Sequence, residues 1–204
     1  MITVTNMNTK IVKRTAEYWI QQLRLLPHPE GGYYREIYRS PELIADLPKR
    51  YKGRRPFATA IYFLLRGDQF SSFHRLKSDE IWHFYSGVPV SIFVIGRDGR
   101  LTTARLGLNT EKGELPMFVI PAGSWFAAAL SQTPKSQISN RKSAIGNKKP
   151  YTLLGCTVAP GFDFADFELG NRLELCRQFP KHRALITKLT MPRNPPTFEK
   201  TKIR

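Results

Sequence analysis

The stretch Phe73–Gly87, FHRLKSDEIWHFYSG, sets two of the four histidines of this 204-residue chain beside two adjacent carboxylates. A histidine titrates near neutral pH, and a neighbouring carboxylate favours and orients its imidazolium, so His74 with Glu80 or Asp79 has the parts for proton transfer. The same residue types bind metals, but a stable zinc or iron centre needs three or four protein ligands. Side chains alternate across a strand, which puts His74 and Leu76 on one face of theirs. In the following strand Glu80, Trp82 and Phe84 share a face, and Ile81, His83 and Tyr85 share the other. His83 thus lies opposite Glu80 and is expected to be structural unless a bulge changes its face.

The elements that must position these groups are legible as pattern. Thr15 is placed to cap a helix reaching about Leu26, with Ala16, Trp19, Ile20, Leu23 and Leu26 at helical spacing and Pro27 and Pro29 ending it. Next comes PHPEGGYYREIYRS, whose Gly31–Gly32 pair marks a turn into an aromatic strand. From Phe57 the segments FATAIYFLL, FSSFHRL, EIWHFYSG, VSIFVIG, RLTTARLG, MFVIPAGSWFAAAL and YTLLGCTVAP are short, β-branched and aromatic. Glycine and charged turns divide them with no helix between, which predicts a mainly β, antiparallel sandwich or barrel. RLELCRQF and a segment opening at Pro180, with Ala184, Leu185 and Leu189, predict closing helices. Residues 14–190 read as one domain, residues 1–13 and 191–204 as tails, and residues 131–150 as a basic, flexible insertion.

The net charge of +16 is concentrated in Leu47–Arg55, Ser131–Pro150 and Lys181–Arg204. Solvated basic loops explain it better than a folded nucleic-acid face, leaving at most non-specific attraction to polyanions. Only Cys156 and Cys176 occur, with no metal-type spacing, so reduced thiols and a cytoplasmic location are expected. Cys156 falls in an apolar strand and is expected to be an inert thiol. No apolar run has signal-peptide or membrane-span character.

The chain resembles the cupin superfamily of jelly rolls. Gly67, His74, Glu80 and Gly87 fill four positions of the first cupin motif, with one extra residue between Gly67 and His74 and with Leu76 where a second histidine is usual. Pro121-Ala122-Gly123 matches the second motif, but Phe126 stands at its histidine. The ordered blocks PHPEGGYYRE, FHRLKSDEIWHFYSG, PAGSWFAA and GCTVAPGFDFADFE closely resemble the cupin-5 family, over about Thr15 to Thr190.

That resemblance implies a jelly-roll barrel or sandwich, commonly a homodimer, with a small-molecule ligand in its mouth. It brings no established reaction. No cofactor or dedicated metal is expected, since Leu76 and Phe126 cannot ligate. His74 and Glu80 would be the ligands if any metal bound; His83 could join them only through a bulge, and His28, just after the first helix, could approach the mouth. By analogy with the metal-free sugar-nucleotide epimerases of the superfamily, His74 would be a base, Glu80 or Asp79 its orienter and Tyr62 the acid, if its register turns it inward. Arg35 and Lys77 could hold an anionic group, and Trp82, Trp125 and Phe126 could form pocket wall or core. A non-catalytic binding or scaffold cupin is the alternative.

Overall fold

The computed structural model describes residues 14–131 and 149–191. The expected tails, apart from Met191 at the border, and nearly all of the basic insertion lie outside the described residues.

Helix α1 spans Ala16–Gln22, and the Thr15 hydroxyl accepts from the Tyr18 N–H at 3.2 Å. It stops short of the expected Leu26. Arg24 takes a left-handed φ of 51°. The Leu25 N–H reaches the Ile20 carbonyl at 2.9 Å and the Arg24 N–H the Gln21 carbonyl at 3.2 Å. This pair of bonds is a Schellman closure, completed by packing of Leu25 with Ile20 and Trp19. The apolar period of Leu23 and Leu26 therefore runs on past the real helix end.

The strands, numbered in chain order, form two facing antiparallel sheets. One has the order β1 (Leu26–Pro27), β2 (Tyr33–Arg39), β5 (Thr59–Arg66), β12 (Tyr151–Ala159), β7 (Asp79–Gly87) and β10 (Met117–Ile120). The other runs β13 (Phe167–Leu169), β6 (Phe70–Leu76), β11 (Trp125–Leu130), β8 (Val90–Ile95) and β9 (Leu101–Leu106). A small ladder, β3 (Leu43–Ile44) with β4 (Arg55–Pro56), lies apart. The pairing of strands distant in sequence, β5 with β12 and β6 with β11, gives a jelly-roll sandwich. It is not a closed barrel, because each sheet keeps its own two edges among the described residues.

The inner faces meet in a core of Phe63, Leu65, Trp82, Ile92, Leu106 and Phe126. The outer face of the six-stranded sheet is covered by α1, which buries Ala16 against Leu64 and Leu153. The other sheet buries Phe73, Ile95 and Trp125 under α2 (Arg172–Gln178) and α3 (Arg183–Lys188). Pro180 opens a 3₁₀ turn rather than the helix itself. The basic segment Leu47–Arg55 is not wholly a solvated loop. Tyr51 and Arg55 are buried, and the Arg55 guanidinium donates to both Asp166 oxygens at 2.5 and 2.9 Å.

Candidate functional site

Between the sheets, toward the edges formed by β1 and β13, the interior opens into a cavity of about 620 Å³. Its ionisable lining includes His74 from β6, Glu80 from β7, and His28 and Glu30 from the turn before β2. That turn owes its course to the two glycines. Gly31 and Gly32 have φ of 110° and 74°, and a Cβ would lie 2.2 Å from the Phe70 carbonyl oxygen at Gly31 and 2.6 Å from that of Leu64 at Gly32. Only glycine permits this approach. It carries Glu30 into the interior, where the Ser72 N–H donates to the Glu30 carbonyl at 2.8 Å.

A bulge supplies the rest of the setting. The register of β6 against β11 pairs Phe126 with His74 but Ala128 with Ser71, so one extra residue intervenes on β6. Ser71 and His74, three apart, consequently both reach Glu30. The Ser71 hydroxyl donates to Glu30 Oε1 at 2.7 Å, and His74 Nε2 lies 3.0 Å from Oε2.

Proton positions follow from the partners. His74 Nδ1 lies 2.7 Å from the Ser72 carbonyl, which can only accept, so Nδ1 carries hydrogen. One more proton is shared between Nε2 and Glu30. Burial lowers His74 to about 4, whereas burial and then the nearby Glu80 charge raise Glu30 well above the carboxylate range. The pair is therefore neutral, with the Glu30 carboxyl donating to Nε2. His28 Nδ1 accepts the Glu30 N–H at 3.3 Å, and burial among Tyr34, Phe63 and Phe167 lowers it to about 3. Burial lifts Glu80 to about 7. Glu80 is 7% exposed, and its Oε2 has no hydrogen-bond partner among the described residues.

The residues expected from the sequence divide. His74, Glu80 and Arg35 line the cavity, as do Leu76 and His28. Glu80, however, is not the partner of His74; Glu30 is. Tyr62 pairs in register with Arg35 and Gly155 on the face of β5 turned to α1, where it packs with Leu64 and lies 6.2 Å from Tyr85. That register removes it as an acid for His74. Lys77 Nζ is held 3.0 Å from Asp166 and does not line the cavity.

Trp82 and Phe126 belong to the dry core, Phe126 with its ring centroid 4.0 Å from that of His74. Trp125 lies on the outer face under α2 and α3, with the Arg75 guanidinium over its ring at 4.5 Å. Arg35 pairs with neither Glu36 nor Asp166, since these engage Arg39 and Arg55. His83 faces Thr157 at 3.3 Å, away from the cavity. Sequence reasoning missed Glu30 and Ser71. The close glycine pair was the signal for Glu30, while nothing in the alternation of β6 signals the bulge that turns Ser71 inward.

The histidine-rich ligand set of metal cupins does not fit this site. Leu76 is a cavity wall and Phe126 a core ring, and no group of three His, Cys, Asp or Glu among the described residues could hold a metal ion. Residues 17–170 match the family described as "Cupin superfamily (DUF985)". The chain belongs to this cupin family. Two solved structures resemble most of it. Protein SO0799 from Shewanella oneidensis is 39% identical, with a TM-score of 0.72 over 88% of this chain and 99% of its own. A hypothetical protein from Leishmania major is 33% identical, with a TM-score of 0.75 over 87% and 99%. The uncharacterized protein YML079W of Saccharomyces cerevisiae is 28% identical over 156 residues, 72% of this cupin and 71% of the yeast chain. No helix among the described residues is long and apolar enough to cross a membrane.

Proposed function

We propose that this cupin binds a small polar or anionic metabolite between its sheets and moves a proton on it without a metal, as an isomerase or epimerase does. The observation that carries this reading is the Glu30–His74 pair, which holds one shared proton beside Glu80 in a cavity of about 620 Å³. That volume suits a metabolite-sized ligand. A carboxyl raised to about 7 exchanges its proton readily at neutral pH, which suits Glu80 to accept a proton from carbon next to a carbonyl. Glu80 can take that proton up and return it to carbon, and the neutral Glu30–His74 pair sets no fixed charge beside it. In this assignment His74 holds Glu30 in place and Glu80 acts as the base, a reversal of the roles expected by analogy with the epimerases.

The test is solvent deuterium incorporation, followed by NMR, across a panel of keto acids, aldose phosphates and sugar nucleotides in D₂O. One compound should exchange or epimerise, the rate should fall at least about 100-fold in Glu80→Gln, and EDTA should leave it unchanged. A second reading, a binding cupin without chemistry, is favoured by one observation: both His74 nitrogens already have internal partners. A panel member that raises the melting temperature yet takes up no deuterium would establish that reading over the first.

A further inference from the structure

The cavity mouth lies between two sheet edges of different chemistry. On the β1–β2 side stand Arg24, Arg35 and Arg39, and on the β13 side Phe162, Phe164 and Phe167. We propose that the ligand is an anion on a flat aromatic body, its charge met by Arg24 and Arg35 and its ring by Phe162 and Phe164. This rests on the metabolite-binding reading above and names the class of compound.

The arginine side carries uncompensated charge. Arg39 is neutralised by Glu36 at 2.6 Å, but Arg24 and Arg35 have no carboxylate partner among the described ion pairs. The Arg35 guanidinium donates to the Leu23 carbonyl at 3.2 Å, which brings it beside Arg24 in the chain. Arg24 occupies the left-handed position of the Schellman closure, with φ 51°, where glycine is the favoured residue. An arginine there bears a steric cost that a glycine avoids, so helix closure does not account for it. Deeper in, burial raises Glu30 well above the carboxylate range, so its carboxyl does not repel an entering anion.

The aromatic side is anchored although partly bare. Phe162, Phe164 and Phe167 meet edge to face with centroids 5.0 to 6.2 Å apart, and Phe164 remains 50% exposed. Three polar anchors hold the segment: Asp163 Oδ1 accepts from the Ala165 N–H at 2.8 Å, Asp166 is gripped by Arg55, and Arg39 donates to the Phe162 carbonyl at 3.1 Å. Rings fixed at a cavity mouth and left half in water offer an edge or face to a planar partner. Guanidinium and ring on facing lips recognise charge and flatness together.

The experiment titrates the full chain with phenyl phosphate, inorganic phosphate and phenyl glucoside by calorimetry. Phenyl phosphate should bind at least about tenfold more tightly than either of the others, the gain expected of one charge-assisted contact plus one ring contact. Arg24→Gly should weaken it about tenfold while leaving the melting temperature of the free protein equal or higher. Phe164→Ala should weaken phenyl phosphate but not inorganic phosphate. Equal binding of phenyl glucoside, equal binding of inorganic phosphate, no binding of phenyl phosphate, or indifference to Arg24→Gly would each overturn the proposal. The underlying reading fails separately. A panel ligand blocked by the cavity-filling Ile61→Trp but indifferent to Arg24→Gly retains the cavity and rejects the aryl anion, whereas no ligand of any kind rejects both.

Discussion

One sandwich interior has two unlike halves. Toward β9 and β10 it is dry, filled by Trp82, Ile92, Leu106, Ile120 and Phe126. Toward β1 and β13 the same strands enclose a cavity with Glu30, His28, His74 and Glu80 on its wall. Strands β5, β7 and β12 serve both halves, so strand propensity does not separate them. The separation comes from two local devices, the glycine pair that brings Glu30 inward and the bulge that turns Ser71 beside His74. The lesson is that a jelly roll can host an ionisable site wherever a turn, rather than a strand, enters between its sheets.

The contrast is tested most strongly by removing a ring from the dry half. Phe126→Ala should cost about 4 kcal/mol, because a fully buried phenylalanine leaves a hole that its neighbours cannot fill. Ile61→Ala, on the cavity wall, should cost about 1.5 kcal/mol, since the cavity already lies against that side chain. Urea unfolding of both variants measures the difference. Equal losses would mean that the two halves are packed alike.

The next effect is electrostatic and belongs to the cavity alone. Glu80 titrates near 7 in the fold against an ordinary value of 4.5. The folded state therefore holds the proton more tightly, and this contribution is complete below pH 4.5 and lost as pH rises through 7. The loss amounts to about 3 kcal/mol, and Glu80→Gln should abolish it. For His74 and His28, lowered to about 4 and about 3, the sign is opposite. Their contribution is complete above pH 6.5 and declines as pH falls toward those values. Stability profiles of wild type and Glu80→Gln from pH 4 to 8 should diverge with increasing pH, and parallel profiles would remove Glu80 from the ionisable set.

How the sequence disclosed these halves follows the same division. The sheets were readable because β-branched and aromatic runs alternate between sharp turns, and the cupin frame placed His74 and Glu80 correctly on the inner faces. What escaped was set by backbone geometry rather than side-chain pattern. Glu30 lies 44 residues before His74, in a turn that no periodicity describes. Ser71 depends on a bulge, and the outward course of Tyr62 depends on the pairing of β5 with β2 and β12. The end of α1 was hidden because Arg24, not glycine, occupies its left-handed position. Arg24→Gly sharpens this last point: thermal unfolding should show a gain of about 0.7 kcal/mol, the steric relief of a left-handed residue without a Cβ. A loss would show that the arginine side chain itself holds the helix end.

The smallest predicted effect discriminates most finely between the states of the cavity. If Glu30 and His74 are neutral, Glu30→Gln replaces the shared proton with an amide N–H. The new carboxamide oxygen still accepts from Ser71, its NH₂ donates to His74 Nε2, and Nδ1 still donates to the Ser72 carbonyl. The change in stability should then stay within about 0.5 kcal/mol. An imidazolium–carboxylate pair behaves otherwise, because the glutamine would leave a buried cation uncompensated at a cost of about 3–5 kcal/mol. Nitrogen-15 shifts of the His74 ring provide the second readout. A neutral ring with hydrogen on Nδ1, unchanged in Glu30→Gln, fits the proton placement derived from Ser72, whereas a doubly protonated ring in the wild type would overturn it.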